Sequence, residues 1–98
     1  MTMAEFLQVL REVPSEWAFT SVGALRVKGE PAQDYCPIIA VCGHMTGDYM
    51  KPYLYRFAGS KIGLSSVDIE RISNAADNSA NNFDPEFRKQ LFEAVGLA

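Results

Sequence analysis

Cysteine is scarce in this 98-residue chain, histidine and tryptophan occur once each, and no long apolar run is present. Each scarcity removes a class of protein. Without about 18 consecutive apolar residues there is no membrane-spanning helix. The start from Met1 to Glu12 carries Glu5 where a secretion leader wants Lys or Arg, so no leader is expected. Cys36 and Cys42 are six residues apart, which is ~9 Å along a helix and ~20 Å along a strand. A disulfide needs Cα atoms within about 7 Å, so two reduced thiols and a cytoplasmic setting are expected.

The same scarcity argues against catalysis and cofactors. Cys36 at a helix start could be a tuned thiolate, but its only possible imidazole base, His44, lies ~12 Å along such a helix. Cys36, Cys42 and His44, completed by Asp34 or Asp48, lack the paired spacing of a zinc site. The run Asp77–Asn82 places oxygens like a calcium loop, yet Asn82 stands where glycine must turn and Arg88 where glutamate must close the shell. The seven glycines form no phosphate-binding pattern. No catalytic residue, metal or cofactor is therefore expected.

Charge excludes more. The net charge is −3 with a pI near 5.0, so the chain lacks the broad basic surface that binds nucleic acid by counterion release. The deficit is local. Residues 1–49 hold Arg11, Arg26 and Lys28 against Glu5, Glu12, Glu16, Glu30, Asp34 and Asp48, for −3; residues 50–98 hold six of each sign. Between Lys51 and Lys61 the three cations Lys51, Arg56 and Lys61 meet no acid and alternate with aromatics.

What is present reads as one globular domain over residues 1–98, 48% hydrophobic and 21% charged. Thr2 and Glu5 have capping-box spacing, and Phe6, Leu7, Leu10 and Val13 follow on one helical face until Pro14. Trp17–Thr20 and Ala24–Lys28 suggest a small antiparallel hairpin, with a loop over Gly29–Asp34. Pro37–Cys42 is apolar throughout; its β-branched content allows a strand, but Pro37 just inside the start favours a buried helix ending near Gly47. Pro52 opens a helix to about Ala58. Ser65 caps the next, with Val67, Ile69, Ile72 and Ala76 inward and Asp77–Ser79 ending it. Asp84-Pro85-Glu86 starts the last, with Phe87, Leu91, Ala94 and Val95 inward and Gly96-Leu97 as a Schellman-type stop. The expected class is α+β, with four to five short helices and the hairpin. The expected core is Phe6, Leu10, Trp17, Leu25, Ile38, Ile39, Val41, Leu64, Ile69, Ile72, Leu91 and Val95.

Two segments could carry function. Phe57–Ile72 has helix-turn-helix spacing: Ala58 and Gly59 are small where helices would cross, and Gly63 permits a left-handed turn. A DNA reader needs Arg, Lys, Asn or Gln near the start of its second helix. Here that helix offers Ser65, Ser66, Asp68 and Glu70, with Arg71 its only cation, so scaffold is the better reading. In the second segment, Tyr49, Tyr53, Tyr55 and Phe57 interleave with Lys51, Arg56 and Lys61. The plainest reading places Tyr53 and Phe57, four apart, in the core. A protein contact comes next, because Tyr and Arg anchor interfaces, and stacking of single-stranded bases last.

Finally, Trp17, Gly23-Ala24-Leu25-Arg26, Cys36-Pro37-Ile38-Ile39, Ala75-Ala76-Asp77 and the terminal Leu91–Leu97 occur in an order that resembles small phage and prophage accessory proteins. The resemblance spans most of the chain and implies no activity or functional residue; it implies expression inside a bacterial host. The expected function is stoichiometric binding to a host or phage protein, in its sharpest form inhibition of a bacterial defence system of the anti-CRISPR kind. Its candidate contacts are Tyr49, Lys51, Tyr53, Tyr55, Arg56 and Lys61. The alternative is a helix-turn-helix regulator touching DNA through Ser65, Ser66 and Arg71.

Overall fold

The computed structural model describes residues 1–13, 18–19, 25–26, 34–76 and 85–95. Five helices make up most of it: α1 (Met3–Glu12), α2 (Pro37–Thr46), α3 (Tyr55–Lys61), α4 (Ser66–Ala76) and α5 (Pro85–Ala94). The chain is therefore helical, and the α+β expectation is overturned. Among the described residues, extended pairing is seen only in the two-residue pieces Ala18–Phe19, Leu25–Arg26 and Asp34–Tyr35, antiparallel in that order. The rest of the hairpin expected over Trp17–Thr20 and Ala24–Lys28 lies outside the described residues. The turns expected between them, the side chains of Trp17 and Leu25, the Asp77–Ser79 stop, the Asp84 cap and the Gly96-Leu97 stop lie outside the described residues.

Local chemistry accounts for the helix limits. Thr2 caps α1 through a full capping box: the Glu5 N–H donates to Thr2 Oγ1 at 3.1 Å, and the Thr2 N–H donates to Glu5 Oε1 at 2.9 Å. The Thr2 N–H, with the Thr2 hydroxyl beside it, holds the Glu5 carboxyl below its ordinary value, since donors aimed at a carboxylate favour the charged form. Val13 turns extended, as a residue before proline must, and α1 ends there. Gly47, at φ 79°, closes α2 in the left-handed conformation. Before α3, Lys51 is extended and Pro52–Leu54 forms a 3-10 turn, so the expected Pro52–Ala58 helix begins as a tighter turn and runs on to Lys61.

The core is organised around α2, which packs against α1, α3 and α4, while α5 covers α1 and α4. Pro37–Thr46 is helical, which decides the strand-or-helix question for Ile38–Val41, and Pro37 to Gly43 are buried along it without interruption. Phe6, Leu10, Ile38, Ile39, Val41, Leu64, Ile69, Ile72 and Leu91 are all in the core, as expected; Val95 is half-buried at its edge. Tyr35, Met50, Ile62 and Phe87 join them. Val67, expected to face inward, is 75% exposed. At 100° per residue it shares the outer face of α4 with Arg71 and Asn74, opposite Ile69, Ile72 and Ala76.

Candidate functional site

The helix pair α3–α4 is built to a close approach. A Cβ on Gly59 would lie 2.5 Å from Ile69 Cγ1, so only glycine lets the two helices meet here. Ala58 is fully buried beside it. The turn between the helices is closed by three backbone bonds: Ile62 N–H to Ala58, Gly63 N–H to Ser60 and Leu64 N–H to Gly59. Gly63 takes φ 85°, and the Met1 amine donates to its carbonyl at 2.9 Å. Ser65 Oγ accepts the Asp68 N–H at 3.1 Å and so caps α4. The spacing that suggested a helix-turn-helix does produce two helices joined by a tight turn.

The proposed DNA contacts on this pair are otherwise engaged. The Ser65 hydroxyl serves as the cap just described. The Arg71 guanidinium carbon lies 4.4 Å from the centre of the Phe87 ring of α5. Ser66 alone is exposed with no contact of this kind among the described residues. Glu70, one turn into α4, receives Arg56 of α3 at 2.9 Å. An outward face carrying Asp68 and Glu70, with its arginine laid on an aromatic ring, repels phosphates more than it attracts them.

The aromatic–basic segment divides into an inner and an outer set. Tyr49 is half-buried: its ring covers Gly43 so closely that a Cβ there would overlap it, and it stands 5.2 Å from the Tyr35 ring. Tyr55 is also half-buried, and its hydroxyl accepts a bond from Arg56 Nε at 3.0 Å. Arg56, held first by that hydroxyl and then by Glu70, has its pKa raised further above the ordinary guanidinium value. These three residues tie the segment to the body of the protein.

The outer set is different. Tyr53 is 71% exposed, Phe57 62% and Leu54 37%, so the core reading of Tyr53 and Phe57 does not hold. The pattern Tyr53–Phe57 satisfies helical spacing, but Ala58, Gly59 and Ile62 occupy the inward side. Lys51 and Lys61 are exposed at the two ends, Lys51 Nζ lying 6.0 Å from the Tyr53 ring centre. Among the described residues neither lysine has an ion-pair partner. The 3-10 turn and α3 thus present three apolar side chains between two free cations. Met45 and Val67 are the remaining large apolar side chains exposed among the described residues.

The cysteine readings are equally concrete. Cys36 sits at the N-cap of α2 and Cys42 is fully buried in the same helix; neither is in a disulfide. His44 is exposed in the last turn of α2, two turns from Cys36. Near the buried thiol, the Thr46 hydroxyl donates to the Cys42 carbonyl at 2.7 Å and accepts the Asp48 N–H at 3.3 Å, which finishes the helix. Among the described residues no three His, Cys, Asp or Glu side chains lie close enough together to hold a metal ion. None of their helices is long and apolar enough to cross a membrane. No known protein family, curated protein or solved structure matches the chain.

Proposed function

We propose that this chain is a small phage-type accessory protein that works by stoichiometric binding to a host or phage protein in the bacterial cytoplasm, and that it inhibits a bacterial defence system. The observation that supports this reading is the outward set on the 3-10 turn and α3. Exposing Tyr53, Leu54 and Phe57 together does nothing for the fold and costs solubility, whereas aromatic side chains flanked by cations are what protein interfaces use as anchors. Expression in bacteria carrying a CRISPR defence tests the activity: the wild-type chain restores plaque formation by a targeted phage, and a Tyr53→Ala/Phe57→Ala variant of unchanged stability does not. Equal plating with and without the chain, across the defence systems tried, sinks the inhibitor reading.

A second reading has one observation in its favour, the α3–turn–α4 geometry of a helix-turn-helix. It demands that Lys61 and Arg71 contact DNA. A polarisation titration against duplex DNA at low salt separates the readings: binding abolished by Lys61→Ala and Arg71→Ala supports the regulator, and no binding at high protein concentration removes it.

A further inference from the structure

The outer face of the 3-10 turn and α3 also carries information about the chemistry of what it meets. This inference rests on the binding reading above and deepens it. Phe57 and Lys61 lie four apart on one face of α3, and Tyr53 and Leu54 are exposed on the 3-10 turn that leads into it, so the four make an exposed stripe along the segment. Lys51 closes its other end. No carboxylate occurs anywhere between Asp48 and Asp68, and Arg56 is already neutralised by Glu70 at 2.9 Å. The stripe is therefore an apolar centre with a single sign of charge at both ends.

That charge pattern discriminates among occupants. A second copy pairing through the same stripe would bring lysine to lysine: parallel packing sets Lys61 against Lys61, and antiparallel packing sets Lys51 against Lys61. Neither arrangement offers a carboxylate in return, so self-association is opposed. Nucleic acid could stack on Tyr53 and Phe57, but only two unpaired cations remain to displace counterions, and Asp68 and Glu70 lie on the next helix. We infer that the stripe docks an acidic amphipathic segment of a partner protein, one whose apolar side chains cover Tyr53, Leu54 and Phe57 while carboxylates at its two ends meet Lys51 and Lys61.

The test uses the full chain and defined probes. One helical peptide carries leucines four apart with glutamates at both ends; its control carries lysines in place of the glutamates. The glutamate peptide binds, its affinity falls as salt rises, and Phe57→Ala weakens it about tenfold or more. A Lys51→Glu/Lys61→Glu variant, whose fold is verified by circular dichroism, loses the glutamate peptide and gains the lysine peptide. Equal binding of the two peptides overturns the inference. So does a dimer in sedimentation that Phe57→Ala dissolves, and so does preferential binding of a single-stranded oligonucleotide or an anionic vesicle. If the defence-inhibition assay requires Phe57 but tolerates the charge reversal, the binding function survives and the acidic-segment inference fails.

Discussion

Helices α2 and α3 adjoin in sequence and pack on each other, yet they treat their apolar residues in opposite ways. In α2, seven consecutive residues from Pro37 to Gly43 are buried, and partners reach the helix from several sides. In α3 and the turn before it, burial is limited to Ala58 and Gly59 with Tyr55 half covered, while Tyr53 and Phe57 stand in water. Uniform apolarity from Pro37 to Gly43 is a packing requirement, since that stretch of α2 has no solvent face. In α3 the small residues do the packing and the large ones do not. Large side chains that contribute little to the core are free to be selected for contact with something else.

Substitutions can break this comparison, and the largest effect belongs to the central helix. Ile39→Ala removes a fully buried side chain from α2 and costs about 2–5 kcal/mol in urea unfolding. Next comes the inner side of α3. Gly59→Val places atoms against Ile69 and forces α3 and α4 apart, at a cost of about 1–3 kcal/mol in the same measurement.

The first helix supplies a smaller, pH-dependent effect. Thr2→Ala removes the cap of α1 and costs about 1 kcal/mol near neutral pH. Glu5 has a folded-state pKa below its unfolded one, so its share is complete above the ordinary carboxylate range and is lost as pH falls through the lowered value. The gap between wild type and Glu5→Gln therefore narrows in acid, which a pH series of thermal melts reads directly.

The smallest effect on stability sharpens the comparison most. Phe57→Ala, on the outer side of the same helix as Gly59, shifts stability by no more than about 0.5 kcal/mol while weakening partner binding about tenfold or more. A large loss of stability would mean that Phe57 packs on the body of the protein after all.

Local rules made much of this molecule legible. The capping box at Thr2 and Glu5, the proline that ends α1, the serine cap of α4 and the glycine at the α3–α4 turn are each decided within a few residues, and the structure has them where their spacing puts them. The misreadings have a common origin. Val67 and Phe57 are apolar at spacings compatible with an inward face, but a helix has only one such face, and the neighbours choose which. On α4 the choice falls to Ile69 and Ile72; on α3 it falls to Ala58 and Gly59, because the approach to Ile69 leaves no room for anything larger. The α+β expectation failed for a related reason. β-forming residues around Phe19 and Leu25 establish a local preference, whereas the class is decided by the elements that pack, and among the described residues these are helices.

The candidate site was half legible in the same sense. Its residue types and the absence of acid from Lys51 to Lys61 are plain in the chain, but the division into anchored Tyr49, Tyr55 and Arg56 and outward Lys51, Tyr53, Phe57 and Lys61 is not. By itself the sequence determined where most of the helices begin and how charge is spread along the chain, because caps and prolines act over single turns. The tertiary structure alone decided which apolar side chains are covered, because burial depends on which elements meet, and that meeting is a property of the whole chain.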